Sequence, residues 1–144
     1  MQTIIPLILT DIFLTLSILH FYWAFGGKWG FDKALPTNED GERLLQPKPI
    51  HSAIVGLGLM GFAGIYLLQA NLFSLDIPIL AHISGYALWA IPIIFLLRTV
   101  GDFKYVGFSK KIKQTNFARL DTQFYAPLCL FISILAFFVL HISA

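Results

Sequence analysis

Four stretches of the chain are apolar on every side: residues 4–25, 51–70, 77–97 and 123–142. Between them polar and charged residues collect into three connections, 26–50, 71–76 and 98–122. The hydrocarbon core of a bilayer is crossed by about 20 residues of α-helix. The pattern therefore predicts an all-α membrane protein, an antiparallel four-helix transmembrane bundle forming one membrane domain over residues 1–144. Asp76 is placed as the N-cap of the third helix, with Pro78 in its first turn, where a missing N–H costs little. Thr122 is taken as the entry to the fourth. Pro92 and Pro127 fall inside helices, where each removes a backbone hydrogen bond and favours a bend.

Composition agrees with this class. Hydrophobic residues make up 57% of the 144 and charged ones 12%, about half the charge of an ordinary soluble domain. A soluble globule of this size lacks the interior to hide so much apolar surface, which excludes a soluble enzyme or a nucleic-acid-binding domain. The first apolar stretch has no basic segment before it and no small-residue cleavage site after it, so it reads as a retained helix. The single cysteine, Cys129, permits no internal disulfide.

Charge then orients the bundle. Lys28, Lys33, Arg43 and Lys48 lie in the first connection; Arg98, Lys104, Lys110, Lys111, Lys113 and Arg119 lie in the third. The second carries no basic residue, so all ten lie on one side of the membrane. Basic loops stay cytoplasmic, and both termini are accordingly expected on the non-cytoplasmic face.

Ionisable residues inside spans are costly and mark candidate sites. Asp11 and His20 differ by nine residues. At about 100° per residue they fall on opposite faces of one helix, roughly 13 Å apart along its axis, which excludes a relay pair. Asp11 reads either as a carboxyl packed between helices or as a transport group. His20 and His51 lie at the cytoplasmic ends of the first two helices. No H-x-x-x-H or H-E-x-x-H spacing occurs, and no metal site is assigned. Gly56-Leu57-Gly58-Leu59-Met60-Gly61 matches G-x-G-x-x-G in form, but without the preceding strand that a dinucleotide needs. Close helix packing through Ala53, Gly56, Gly61 and Gly64 is the better reading. His82, Gly85, Tyr86, Trp89 and Ile93 form a stripe on the third helix, read as helix packing or as the wall of a pocket near the outer surface.

Trp29 and Phe31, set among glycines in the long first connection, suit a loop that folds back to the headgroup level. Residues 38–42 read as a solvated acidic turn. The third connection mixes basic and aromatic residues, a membrane-surface pattern. Arg98, Asp102, Arg119 and Asp121 lie at one surface, where an ion network would tie this loop to the ends of the third and fourth helices.

Three blocks carry a resemblance: His20-Phe21-Tyr22-Trp23-Ala24-Phe25-Gly26-Gly27-Lys28-Trp29-Gly30; Gly101-Asp102-Phe103-Lys104-Tyr105-Val106-Gly107-Phe108; and Phe117-Ala118-Arg119-Leu120-Asp121-Thr122, followed by Tyr125-Ala126-Pro127-Leu128-Cys129-Leu130. In this order and spacing the chain resembles a small bacterial four-helix membrane family of unknown function. That family often has Arg where this chain has Lys104 and Ser where it has Ala126. The resemblance implies the same topology and a bacterial inner-membrane location. It brings no reaction and no cofactor.

His20, Trp29, His51, Arg98, Asp102, Arg119, Asp121 and Tyr125 thus gather at one end of the bundle as a candidate site beneath the first loop. The reading they support is binding or movement of a small amphiphilic or lipid-like ligand at the cytoplasmic side. The histidines would supply hydrogen bonds, Trp29 and Tyr125 apolar walls, and Arg98 and Arg119 charge for an anionic headgroup. Two alternatives stand. One is a membrane enzyme on a lipid or isoprenoid substrate, with His20 or Asp121 as acid or base. The other is a non-catalytic subunit, joined to itself or to other chains through the glycine face of helix 2.

Overall fold

The computed structural model describes residues 1–72 and 77–143, and Asp76, the expected N-cap of the third helix, lies outside them. Helix α1 (Ile4–Ala24) leads into a long loop containing a 3₁₀ turn at Asp32–Ala34, here called loop 1. Helices α2 (Pro49–Gln69) and α3 (Pro78–Val100) follow, then residues 101–115, called loop 3 after the third connection, the short helix α4 (Asn116–Leu120), a π-helical turn (Asp121–Tyr125) and α5 (Ala126–Ser143). From Asn116–Ser143 the helical path is unbroken, so the chain has four helices long and apolar enough to cross a membrane. These make it a multi-pass, all-α membrane protein.

Local chemistry sets the helix ends. Pro49 and Pro78 occupy first turns, where their fixed φ suits a helix and the absent N–H is not missed. At α2 the Lys48 backbone N–H donates to His51 Nδ1 at 2.9 Å, so His51 is part of the helix cap. The expected start of the last helix at Gln123 is corrected to Asn116. Thr115, and not Thr122, is the cap residue, its Oγ1 accepting from Ala118 N–H at 3.0 Å.

Loop 1 turns at Asn38, whose side chain accepts from the Glu42 N–H and donates to its carboxylate, the exposed turn foreseen for this stretch. Helix α1 packs mainly on α2, and α3 mainly on α5; contacts between the two pairs are thinner. Phe13 lies at the centre of the core, stacked 5.8 Å from Tyr66 and near Phe62 and Phe95. Bilayer lipid is as apolar as leucine, so close packing and hydrogen bonds between helices hold such a bundle. Ser17 Oγ donates to the Gly56 carbonyl at 2.7 Å, joining α1 to α2, and Ser133 Oγ donates to the Pro92 carbonyl at 2.9 Å, joining α5 to α3.

Helix 2 uses its glycines differently from expectation. Gly56 faces α1 and leaves room for Phe21 and His20, but Gly58, Gly61 and Gly64 face outward with open space around them. The close packing expected through Gly61 and Gly64 is therefore absent from this chain's own bundle. The α3 stripe likewise does not pack inward: His82, Gly85, Tyr86 and Trp89 line a shallow outward groove.

Candidate functional site

Asp121 is fully buried at the loop-bearing end of the bundle. The Ala126 N–H bonds to the Asp121 carbonyl, the wide i to i+5 bond of the π turn. The carboxylate receives three donors: Arg98 Nη2 at 2.9 Å on Oδ1, Lys110 Nζ at 3.0 Å and the Gly107 N–H at 2.7 Å on Oδ2. Lys110, only 2% exposed, also donates to the Gly107 carbonyl at 2.9 Å and to Thr122 Oγ1 at 2.6 Å. Two cations thus surround one carboxylate, leaving a surplus positive charge at this end.

The second resembling block delivers those partners. Gly101 (φ 90°) and Gly107 (φ 81°) cross so closely that a Cβ on Gly101 would lie 1.8 Å from the Val106 carbonyl oxygen. Only glycine fits, and in this backbone region L side chains are also strained. Between them Asp102 Oδ1 accepts the N–H groups of Lys104, Tyr105 and Val106 at 2.7–3.0 Å. Against some loss of hydration, the bonds from Val106, Lys104 and Tyr105 hold the Asp102 carboxyl below its ordinary value. Phe108 N–H then pairs with the Thr99 carbonyl at 2.9 Å, fastening loop 3 to the end of α3.

Beside this cluster lies an apolar cleft of about 370 Å³. Leu16, Leu19, Phe95, Leu128 and Ile132 form its walls, loop 1 covers it through Phe31 and Leu35, and Cys129 lines it. His20, His51, Ser52, Arg98 and Tyr125 are its polar groups, beside the Trp23 indole. His20 Nδ1 lies 2.8 Å from the Leu16 carbonyl. A carbonyl only accepts, so this nitrogen carries hydrogen and the neutral ring keeps Nε2 as an acceptor. His51 is the reverse: its Nδ1 accepts from Lys48, which leaves Nε2–H as a donor. Tyr125 Oη donates to the Lys33 carbonyl at 3.2 Å, tying loop 1 to the last helix. Arg98 Nη1 is buried and has no hydrogen-bond partner among the described residues.

Of the eight residues singled out from the sequence, His20, His51, Arg98 and Tyr125 meet around the cleft, with Asp121 behind Arg98. Three stand apart. Trp29 is 76% exposed and contributes its backbone, the carbonyl accepting from Trp23 Nε1 at 2.9 Å and the N–H donating to Tyr22 Oη at 3.5 Å. Trp23 is the indole in the wall, edge-on to His20 at 4.9 Å. Asp102 organises loop 3, and the Arg119 side chain is exposed. The expected ion network therefore has Lys110 in place of Asp102 and Arg119. Nothing in the run Lys110-Lys111-Ile112-Lys113 distinguishes the buried lysine by type; only its reach from the Gly107 crossing does. A larger groove of about 970 Å³ between loops 1 and 3 is lined by charged residues such as Lys33, Arg43, Lys111 and Glu39, with Ile112 and Phe117 beside them, and holds none of the eight residues.

The fold and this polar end define a four-span membrane protein with an apolar cleft between its helix pairs. Residues 13–136, which include all eight of these positions, match the family model described as protein of unknown function (DUF3995), and the chain belongs to that family. No curated protein and no solved structure matches the chain.

Proposed function

We propose that this protein binds a small anionic amphiphile in the cleft beneath loop 1, with the apolar chain between the two helix pairs and the headgroup at Arg98. The unpartnered, buried Nη1 of Arg98 carries the reading. A buried donor left without an acceptor costs about 1–3 kcal/mol, and a ligand oxygen there would recover it. The surplus positive charge of Arg98, Lys110 and Asp121 favours an anionic headgroup, and His51 Nε2–H and His20 Nε2 offer one further donor and one acceptor. The lysine and arginine distribution supports a cytoplasmic position for this end, and the family resemblance supports a bacterial inner membrane. Asp121, with both oxygens engaged by cations, fits a structural role better than acid–base catalysis, which favours binding over turnover.

The test uses the full chain in nanodiscs and a fluorescent fatty acid, 11-(dansylamino)undecanoate. Binding is expected in the unaltered protein and lost when Leu128→Trp fills the cleft. Labelling of Cys129 by N-ethylmaleimide should slow when undecanoate is added. Equal binding by Leu128→Trp, with Cys129 unprotected, would overturn the reading.

A further inference from the structure

The outward faces of α1 and α3 each carry polar groups near mid-depth. On α1 a stripe of exposed positions runs Ile4, Ile8, Asp11, Thr15, Ile18, Tyr22 and, just beyond the helix, Phe25, with exposed Leu14 at its edge. On α3, which also exposes Ala81, His82, Gly85, Trp89, Ile94 and Leu96, one stripe runs Ile79, Ile83, Tyr86, Ala90, Ile93, Leu97 and Val100. Both stripes step by four and three. That alternation keeps one seam facing a neighbour along two parallel helices. Both helices run in the same direction, from the termini toward loops 1 and 3.

Depth makes the match chemical. Asp11 precedes the middle of α1 (Leu14) by three residues, and Tyr86 precedes the middle of α3 (Trp89) by three. Each therefore sits about 4.5 Å from its helix centre on the same side. Tyr86 is 79% exposed and Trp89 60%. Tyrosine and tryptophan facing lipid belong at the interfaces. Here a hydroxyl, an indole N–H and a carboxyl face outward at mid-depth, where lipid offers nothing to bond. Other faces differ. Outward positions of α2 from Ile54 to Gly64 and of α5 from Phe131 to Phe138 are all apolar or glycine.

We infer that α1 of one copy docks, parallel, on α3 of a second copy, with Asp11 accepting hydrogen bonds from Tyr86 and Trp89. Because α1 packs mainly on α2 and α3 mainly on α5, the two matching faces belong to different helix pairs. The contact joins unlike surfaces, so it propagates head to tail and closes as a ring or continues as an array. This inference is independent of the cleft, which faces the bundle interior.

Cross-linking in membranes tests it, in a Cys129→Ser background. Ile8→Cys and Ile83→Cys form one layer of the seam while leaving Asp11 and Tyr86 in place. Copies carrying only Ile8→Cys, mixed with copies carrying only Ile83→Cys, should link on oxidation, and neither should link to itself. A chain carrying both should give a ladder. In nanodiscs, Asp11→Leu with Tyr86→Phe should weaken self-association about tenfold, the loss of one to two kilocalorie-scale bonds between helices; helicity should be unchanged, and Gly61→Leu should have no effect. Self-linking of Ile8→Cys copies, no link in the mixture, a monomer at all densities, or dissociation by Gly61→Leu alone would each overturn it.

Discussion

Lys110 Nζ lies 3.0 Å from Asp121 Oδ2, and the two side chains are 1% and 0% exposed. A lysine at the surface of a basic loop has been drawn inside to meet a carboxylate that Arg98 already holds. The pair welds loop 3 to the start of the last span, and its members are unequal. Asp121→Asn leaves two cations facing a neutral amide, whereas Lys110→Met leaves Asp121 paired with Arg98. Breaking a buried pair so that charge is stranded costs about 3–5 kcal/mol. Thermal unfolding in detergent should show a large loss for Asp121→Asn and a distinctly smaller one for Lys110→Met.

Gly101 and Gly107 are the second point of weakness. Alanine at either meets backbone atoms within 2.7 Å and a left-handed φ, so neither strain can be relieved by turning a side chain. Gly101→Ala or Gly107→Ala should expose loop 3 to trypsin at Lys110 and Lys111. Gly58→Ala, with open space around it, should unfold within about 1 kcal/mol of the unaltered protein, on the favourable side because alanine costs less helix entropy.

Asp102 gives loop 3 a pH dependence. Its carboxyl titrates below the ordinary value of 3.8 in the folded loop. A depressed folded value means stability that is present above the unfolded one and lost as pH falls through the folded one. Proteolysis by pepsin over acid pH should therefore show loop 3 opening below 3.8, and Asp102→Asn should flatten that dependence.

The distribution of basic residues predicts an orientation that a reporter can read. Alkaline phosphatase fused after Ala144 should be active, and the same fusion within loop 3 inactive. The opposite pattern would place the cleft and its arginine on the outer face.

The four spans were legible because apolar runs of membrane length separate cleanly from charged connections. The polar end was legible in part. His20, His51, Arg98 and Tyr125 stood out as polar groups at helix ends, and the bundle brings helix ends together whatever their detailed packing. Asp121 was marked by its place beside a span, although its burial depends on a π turn that carries no composition signal. Lys110 was hidden because its neighbours are also lysines, and Trp29 drew attention that belongs to Trp23, six residues earlier. Periodicity assigns a residue to a face, but choosing among adjacent side chains of one type requires the backbone path, here the crossing of Gly101 and Gly107.

The cleft lies on the seam between two separately tied units, α1 clasped to α2 through Ser17 and α5 clasped to α3 through Ser133. Since each clasp is internal to its own unit, filling the cleft strains neither of them. Its volume is governed by how far the units part, with Tyr125 and the Lys33 carbonyl as a strap across the gap. The proposed occupant would therefore act as a wedge, and the first bond it would stretch is the one that holds loop 1 down.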